Sequence, residues 1–122
     1  MESLNRMTVI VKDNGFGIKN IIINEPKTYN SLSFKTLNIL INIFRRLEND
    51  NKTRVIILSG NGKGFSAGHN LKEVKNLKVR SKYLKLFNLC SKLMLNIVEG
   101  RKPVIAKVHG SAFAAGCQLA AS

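Results

Sequence analysis

Hydrophobic and polar positions follow two periods along the chain, and these periods predict a mixed order of strands and helices. β-Branched runs at 8–12 and 18–23 flank the Asp-Asn-Gly sequence at 13–15, which is typical of a β-hairpin. Pro26 follows the second run and has no N–H for a strand ladder, so this strand should end before it.

Two longer stretches carry apolar residues at three- and four-residue spacing, which predicts two amphipathic helices. The first begins at Ser31 or Ser33, either of which can cap it, and ends near Glu48. The second begins near Ser81 and ends at Gly100, with Pro103 just beyond. The apolar faces are predicted to consist of Phe34, Leu37, Ile41, Phe44 and Leu47 in the first helix and Leu84, Phe87, Cys90, Met94 and Ile97 in the second.

Two short apolar runs, at 55–58 and 104–108, predict strands buried on both faces. Each is followed by a loop of small residues and then by a helical pattern, the first starting at Leu71 and the second covering 114–121. The order β-β-α-β places the chain in the α/β class. The glycines of the first loop, between 60 and 68, are compatible with a flexible connector or with a binding loop at the end of a strand.

Length and composition limit the class of protein. The chain has 122 residues, of which 44% are hydrophobic, so it holds one domain at most and can bury a core. No apolar run approaches the roughly 20 residues of a membrane span, and the N-terminus resembles neither a secretory signal nor a clear transit peptide. These features favour an intracellular protein, although import into an organelle stays open.

The formal net charge of +13 is the most unusual feature of the composition. Such a charge attracts polyanions, including nucleic acid, acidic membrane surfaces and phosphorylated cofactors. The lysines are scattered among many Asn and Ile residues, so a biased base composition is an equally simple explanation. Nucleic acid is therefore an unlikely main partner.

Candidate metal ligands are few. Cys90 and Cys117 lie within apolar helical patterns and are interpreted as small buried hydrophobic residues. The two histidines, His69 and His109, are not at ligand-like spacing, and we predict no metal site. The last helical pattern stops at Ser122 without a cap, which leads us to expect a partial domain.

Two strand-loop-helix turns can bring two backbone N–H groups together. A helix N-terminus supplies unpaired N–H donors and a partial positive charge. Small residues at 114–116 leave room for a substrate atom to reach such donors, and two convergent donors form an oxyanion hole. The alternative is that these small residues only allow a helix to pack closely on a strand.

Three segments resemble motifs of one known family. SAGHNLK at 66–72 resembles the "AGxDL" segment of the enoyl-CoA hydratase/isomerase, or crotonase, family. VHGSAFAAGCQLA at 108–120 resembles its "VNGxAxGGGxxLA" segment, and NEPKTYNSL at 24–32 resembles its "NxPxxxNAL" segment. The amino-acid sequences of the first two segments are most similar to the branch of the family called enoyl-CoA hydratase domain-containing protein 3.

The resemblance implies a crotonase-like spiral of ββα units, with 1–122 as a partial domain truncated before the C-terminal helices. It implies an acyl-CoA thioester as substrate, with coenzyme A as part of that substrate and no permanently bound cofactor. Members of the family form homotrimers or hexamers. A mitochondrial location is suspected from the same likeness.

The family's motifs also imply the site residues. The backbone N–H groups of His69 and Ala115 would form the oxyanion hole, and Gln118 occupies the position of the first catalytic glutamate. The residues expected to line the coenzyme A moiety are Lys27, Tyr29, Ala67, Asn70, Leu71 and Lys72. A lysine can neutralise a phosphate of coenzyme A, but each of these lysines is equally compatible with a solvated surface.

Departures from the motifs leave the activity open. Hydration in this family uses two glutamates as acid and base, whereas Gln118 has an amide and the second position lies beyond residue 122. Asn70 replaces the usual aspartate, and the His69 side chain is a further candidate for acid–base work. The alternatives are an enoyl-CoA hydratase or isomerase, an inactive acyl-CoA binder, and a basic RNA-binding homologue.

Overall fold

The computed structural model describes residues 7–68 and 80–112. The elements in chain order are β1 (Val9–Asp13), β2 (Ile18–Ile23), a 3₁₀ helix (Pro26–Thr28), α1 (Phe34–Glu48), β3 (Val55–Gly60), β4 (Gly64–Ser66), α2 (Arg80–Glu99), β5 (Val104–Ala106) and β6 (Ser111–Ala112). The predicted order of strands and long helices is confirmed. The helical patterns predicted from Leu71 and over 114–121 lie outside the described residues. Within the described ranges, no helix is long and apolar enough to cross a membrane.

β1 and β2 form the predicted hairpin, with Val9 opposite Ile23 and Asp13 opposite Lys19. The connection covers 14–17, and it is longer than a two-residue turn because three successive residues from Gly15 adopt left-handed backbone. Asp13 accepts a hydrogen bond from Lys19 and another from the Gly15 N–H. These bonds hold the pKa of the Asp13 carboxyl below its ordinary value.

The strands form two sheets. The larger sheet has the order β1-β2-β3-β5, and β2, β3 and β5 run parallel to one another. The smaller sheet pairs β4 with β6. The sequence did not predict β4 or β6, because strands of three and two residues are too short to show alternation.

α1 begins where the sequence predicts. The Ser33 hydroxyl accepts a hydrogen bond from the Thr36 N–H at 3.1 Å, so Ser33 rather than Ser31 is the N-cap. The predicted apolar face is buried apart from Phe34, which is half-buried. Alternate residues of β2 and β3 share one core cluster with α1 and α2, which gives a two-layer arrangement of sheet and helices.

The predicted core face of α2 is partly wrong. Cys90, Met94 and Ile97 are buried as expected, but Leu84 is 51% exposed and Phe87 is 47% exposed. Leu86 and Leu93 are fully buried in their place. The helix carries two overlapping apolar stripes, and packing against α1 selects the one that contains Leu86 and Leu93.

The prediction of strands buried on both faces is also wrong for the described residues. In β3, Ile56 and Leu58 are buried whereas Val55 and Ile57 are half-buried, since the helices cover the face of the first pair. β5 ends at Ala106 and lies at the edge of the sheet, where Ile105 is 55% exposed. Val108 falls beyond the strand and is also exposed.

The carboxyl end of α1 is tied to the segment after α2. Glu48 Oε1 accepts hydrogen bonds from the backbone N–H of Arg101 at 2.9 Å and from its Nε at 3.1 Å. Lys102 Nζ donates to the carbonyl oxygen of Leu47 at 2.6 Å and also to that of Asp50. These contacts join the end of α1, including the carbonyl oxygen of Leu47 in its last turn, to the segment between α2 and β5.

Cys90 is a buried free thiol, as predicted, and burial raises its pKa. Cys117 lies outside the described residues.

Candidate functional site

Three loops meet at the carboxyl edge of the parallel strands, following β2, β3 and β5. The Asn61 N–H donates to the Ile23 carbonyl at 2.9 Å, and the Lys107 N–H donates to the Leu58 carbonyl at 2.8 Å. The loops that follow β3 and β5 therefore each start hydrogen-bonded to the neighbouring strand. Ligands of open α/β sheets bind at this edge, which makes the three loops the candidate site.

Asn30 joins the first loop to the second. Its side chain is fully buried, its Oδ1 accepts from the Glu25 N–H at 2.8 Å, and its Nδ2 donates to the carbonyls of Asn61 at 2.7 Å and Gly64 at 3.0 Å. Its φ of +55° lies in the left-handed region, which asparagine tolerates better than most residues. Sequence reasoning gave Asn30 no role, because an asparagine in a turn looks the same whether it is solvated or buried.

Gly60 makes room for this side chain. A Cβ at position 60 would lie 2.5 Å from the Phe65 carbonyl oxygen and 2.6 Å from Asn30 Nδ2. The glycine is therefore required by the close approach of the second loop to Asn30. Up to residue 68 this glycine-rich loop is therefore packed against the first loop, as a binding loop would be.

The predicted coenzyme A-lining residues on the first two loops are neighbours. The Ala67 N–H donates to the Tyr29 carbonyl at 2.8 Å, and the Leu32 N–H donates to the Gly68 carbonyl at 2.6 Å. The buried Ser66 hydroxyl donates to the Asn30 carbonyl at 2.7 Å. These bonds place the backbone of Ala67 directly beside the turn that carries Tyr29.

Lys27 and Tyr29 lie on the turn that follows β2. Lys27 is in the 3₁₀ helix that Pro26 begins, and Tyr29 caps this helix with a left-handed φ of +54°. The Lys27 side chain is exposed, and Tyr29 is 56% exposed. Both side chains are accessible to a ligand, and neither is needed to fill the core.

The third loop is held to the second by short contacts. The Nε2 of His109 lies 2.7 Å from the Gly62 carbonyl oxygen, and Gly110 forms a bridge with Gly64. The residue after this bridge, Ser111, begins β6, which pairs with β4. The loop of small residues that the sequence predicts after 104–108 therefore leads into a strand.

The remaining predicted site residues lie outside the described residues. They are His69, Asn70, Leu71, Lys72, Ala115 and Gln118. Gly68 directly precedes His69 in the chain, and Ala112 lies three positions before Ala115. The described loops therefore lead into both predicted oxyanion donors, whose geometry stays a prediction.

The charges at this edge are mostly positive. Lys27, Lys63 and Lys107 are exposed on the three successive loops. The acidic Glu25 is half-buried and accepts a hydrogen bond from the Thr8 hydroxyl at 2.8 Å. An anionic ligand would meet exposed cations here, while the one carboxylate of the first loop is turned toward β1.

A cleft of about 230 Å³ lies at the opposite edge of the sheet. Its apolar lining includes Phe44, Ile56 and Val104, and its polar lining includes Glu48 and Lys102. Ile56 and Val104 are near the amino ends of their strands, so this cleft is separate from the three loops.

In the part of the chain that the structure describes, a mixed sheet is covered by a layer of helices and its loops are joined at the carboxyl edge, which defines an α/β protein with those loops as its candidate ligand site. The family model of enoyl-CoA hydratase/isomerase matches residues 13–122. The chain belongs to this family, the crotonases.

Individual relatives agree with the family match. The chain is 43% identical over 106 residues to human enoyl-CoA hydratase domain-containing protein 3, mitochondrial, covering 87% of this chain and 35% of the relative. It is 35% identical over 103 residues to the short-chain-enoyl-CoA hydratase of Clostridium acetobutylicum, covering 84% of this chain and 39% of the relative.

Solved structures give the same result for the fold. An enoyl-CoA hydratase of Mycobacterium smegmatis superimposes with a TM-score of 0.90 at 40% identity, and the human domain-containing protein 3 with a TM-score of 0.87 at 39% identity. Each match covers 93% of this chain and 44% of the solved chain. The predicted crotonase fold is confirmed, and the chain spans less than half the length of these relatives.

Proposed function

We propose that the chain binds an acyl-CoA thioester at the three loops and serves acyl-CoA or fatty-acid metabolism. The observation that carries this proposal is the set of hydrogen bonds between the first two loops: the Asn30 side chain donates to the carbonyls of Asn61 and Gly64, and the Ala67 N–H donates to the Tyr29 carbonyl. Membership of the enoyl-CoA hydratase/isomerase family supports the same ligand class.

In this proposal the thioester carbonyl accepts hydrogen bonds from the backbone N–H groups of His69 and Ala115. Such donors stabilise the negative charge that develops on the oxygen of an enolate. Coenzyme A, as part of the substrate, would lie along the residues predicted above, with Lys27 and Lys72 available to its phosphates. Of these two lysines the structure describes Lys27, whose side chain is exposed at the carboxyl edge of the sheet.

Gln118 limits the reactions that this proposal allows. An amide does not exchange a proton near neutral pH, so Gln118 cannot act as the base or acid of a two-glutamate hydration. Isomerisation through a stabilised enolate needs a different proton acceptor, for which the His69 side chain is one candidate. A binder without turnover is the second candidate function, and Gln118 favours it.

The test is a calorimetric titration of the purified chain with octanoyl-CoA at about 50 mM and about 200 mM salt. We expect saturable binding at both salt concentrations, because apolar contacts and neutral hydrogen bonds are little affected by salt. Lys27→Ala should weaken binding about threefold to tenfold, whereas Lys52→Ala, an exposed lysine on the turn before β3, should not.

Two outcomes would count against acyl-CoA binding. The first is a folded chain that releases no heat with octanoyl-CoA. The second is binding of RNA that is tighter than binding of octanoyl-CoA and falls steeply with salt, as the net charge of +13 would produce in an RNA-binding homologue.

Location and assembly complete the proposal. The human relative is named mitochondrial, and we propose the same location for this protein. The family likeness suggests a homotrimer or hexamer. Fluorescence microscopy of the tagged protein beside a mitochondrial marker tests the first point, and light scattering at several protein concentrations tests the second.

A further inference from the structure

His109 lies at the crossing of two loops of the candidate site. Its Nε2 is 2.7 Å from the Gly62 carbonyl oxygen, within the range of a good N–H···O hydrogen bond. A carbonyl can only accept, so Nε2 carries the hydrogen and donates. The contact spans 47 positions of sequence and joins the loop after β5 to the loop after β3.

The next residue shows how close this crossing is. Gly110 has a φ of +62°, and a Cβ at this position would overlap with the Lys63 carbonyl oxygen. The Gly64–Gly110 bridge and the β4–β6 pairing follow directly. The His109 bond is therefore the first contact on the third loop that fixes the two backbones side by side.

We propose that His109 is a positioning residue for the acyl-CoA site. Its bond to Gly62 sets the spacing between the segment that leads to His69 and the segment that leads to Ala115. Because the two predicted oxyanion donors follow these segments in the chain, the bond would fix the positions from which the chain leads to each donor. This inference rests on the proposed function only for its ligand, since the loop contact is a property of the free protein.

The His109 side chain contacts Gly62 through Nε2, and a glutamine side chain also carries a hydrogen-bond donor at this distance along the side chain. His Nε2 and the amide nitrogen of glutamine are separated from Cα by the same number of bonds. His109→Gln therefore keeps a donor at a similar reach, whereas His109→Leu keeps bulk and loses the donor. Lys52→Leu is the control for placing a leucine at an exposed position.

The first measurement is hydrogen exchange of the free chain by NMR. Losing one solvent-accessible hydrogen bond should raise exchange about fivefold at the amides of 61–66 and 110–112 in His109→Leu. His109→Gln and Lys52→Leu should exchange like the wild type. A shift of the Gly62 carbonyl carbon in His109→Leu, absent in His109→Gln, would identify the bond itself.

The second measurement is octanoyl-CoA binding by calorimetry. We expect a loss of affinity of about fivefold in His109→Leu and near-wild-type affinity in His109→Gln. Unchanged exchange in His109→Leu, or equal loss in both variants, would overturn the positioning role. If the wild type exchanges as expected but binds no octanoyl-CoA, the proposed function fails while the loop contact stands.

Discussion

At the scale of single residues, the candidate site depends on a buried amide. Asn30 fulfils three needs of the backbone at once, since it accepts from one N–H and donates to two carbonyls, of Asn61 and Gly64. Its left-handed backbone turns the chain from the 3₁₀ helix toward α1. This side chain thus acts together with the Ala67–Tyr29 and Leu32–Gly68 backbone hydrogen bonds to hold the first two loops together.

We predict that Asn30→Ala lowers the free energy of unfolding by roughly 3 kcal/mol, because it leaves buried polar groups without partners and strains a left-handed residue. Urea denaturation measures this loss. Asn30→Gly separates the two causes, since glycine relieves the strain but restores no hydrogen bond. A stability of Asn30→Gly equal to the wild type would mean that the side-chain bonds contribute nothing.

At the scale of elements, the orientation of α2 was decided by packing. The helix has an apolar residue in almost every direction near its centre, so its sequence pattern fits more than one core face. α1 contributes Leu40, Ile43 and Leu47 to the shared core cluster. α2 contributes Leu86, Leu93 and Ile97 to the same cluster. The face chosen is the one that fills the space between the helices.

Substitutions on the two stripes of α2 should therefore differ. Leu86→Ala removes a fully buried side chain and should lower the free energy of unfolding by about 3 kcal/mol. Leu84→Ala, at a position 51% exposed, should lower it by less than about 1 kcal/mol. Equal losses in urea denaturation would contradict the assigned orientation of the helix.

A second prediction concerns the junction between α1 and β5. The backbone N–H of Arg101, together with its guanidinium, lowers the pKa of Glu48 below its ordinary value of 4.5. A carboxyl whose pKa is lower in the folded state stabilises that state fully above its unfolded pKa and loses the effect as pH falls through the folded pKa. Glu48 should therefore stabilise the protein at neutral pH and not in strong acid.

The matching experiment compares Glu48→Gln with the wild type across pH. The variant should be less stable at pH 7, and the difference should shrink steadily below pH 4.5. Arg101→Ala keeps the backbone N–H of residue 101, which is the largest cause of the lowered pKa of Glu48. This variant should therefore retain part of the pH dependence. A difference that stays constant from pH 7 to strong acid would rule out the assigned role of Glu48.

At the scale of the whole molecule, positive charge is unbalanced. The chain has 20 basic and 7 acidic residues, and the described ion pairs join Lys19 to Asp13 and Arg101 to Glu48. Repulsion among the remaining cations opposes the compact state. The same field would attract the phosphates of coenzyme A.

We predict that raising sodium chloride from about 10 mM to about 150 mM increases Tm by a few degrees, because the screening length falls from about 30 Å to about 8 Å. The control is the double variant Lys12→Glu with Lys52→Glu, both at exposed positions, which lowers the net charge from +13 to +9, two units per substitution. Its Tm should respond less to salt. A Tm that falls with salt in both proteins would contradict the role of self-repulsion.

Local patterns were sufficient for much of the fold. The hairpin and the extents of α1 and α2 follow from periods and capping signals that act within a few residues, although the choice of Ser33 over Ser31 as the cap came from the structure. The burial of β3 and β5 did not follow, since an apolar run has the same sequence in the centre and at the edge of a sheet. Lys27, Tyr29 and Ala67 were singled out because they lie within motifs that resemble the family's, and their role in binding stays a prediction.

The sequence by itself determined the order of the described elements, the α/β class and the motifs that resemble those of the enoyl-CoA hydratase/isomerase family. These depend on residue identity and short-range spacing. Tertiary structure alone decided the core face of α2, the edge position of β5, the role of Asn30 and the bond from His109 to Gly62. Each of these depends on groups far apart in the chain, and the free energy of burying or pairing them exists only once the sheet and helices have brought them together.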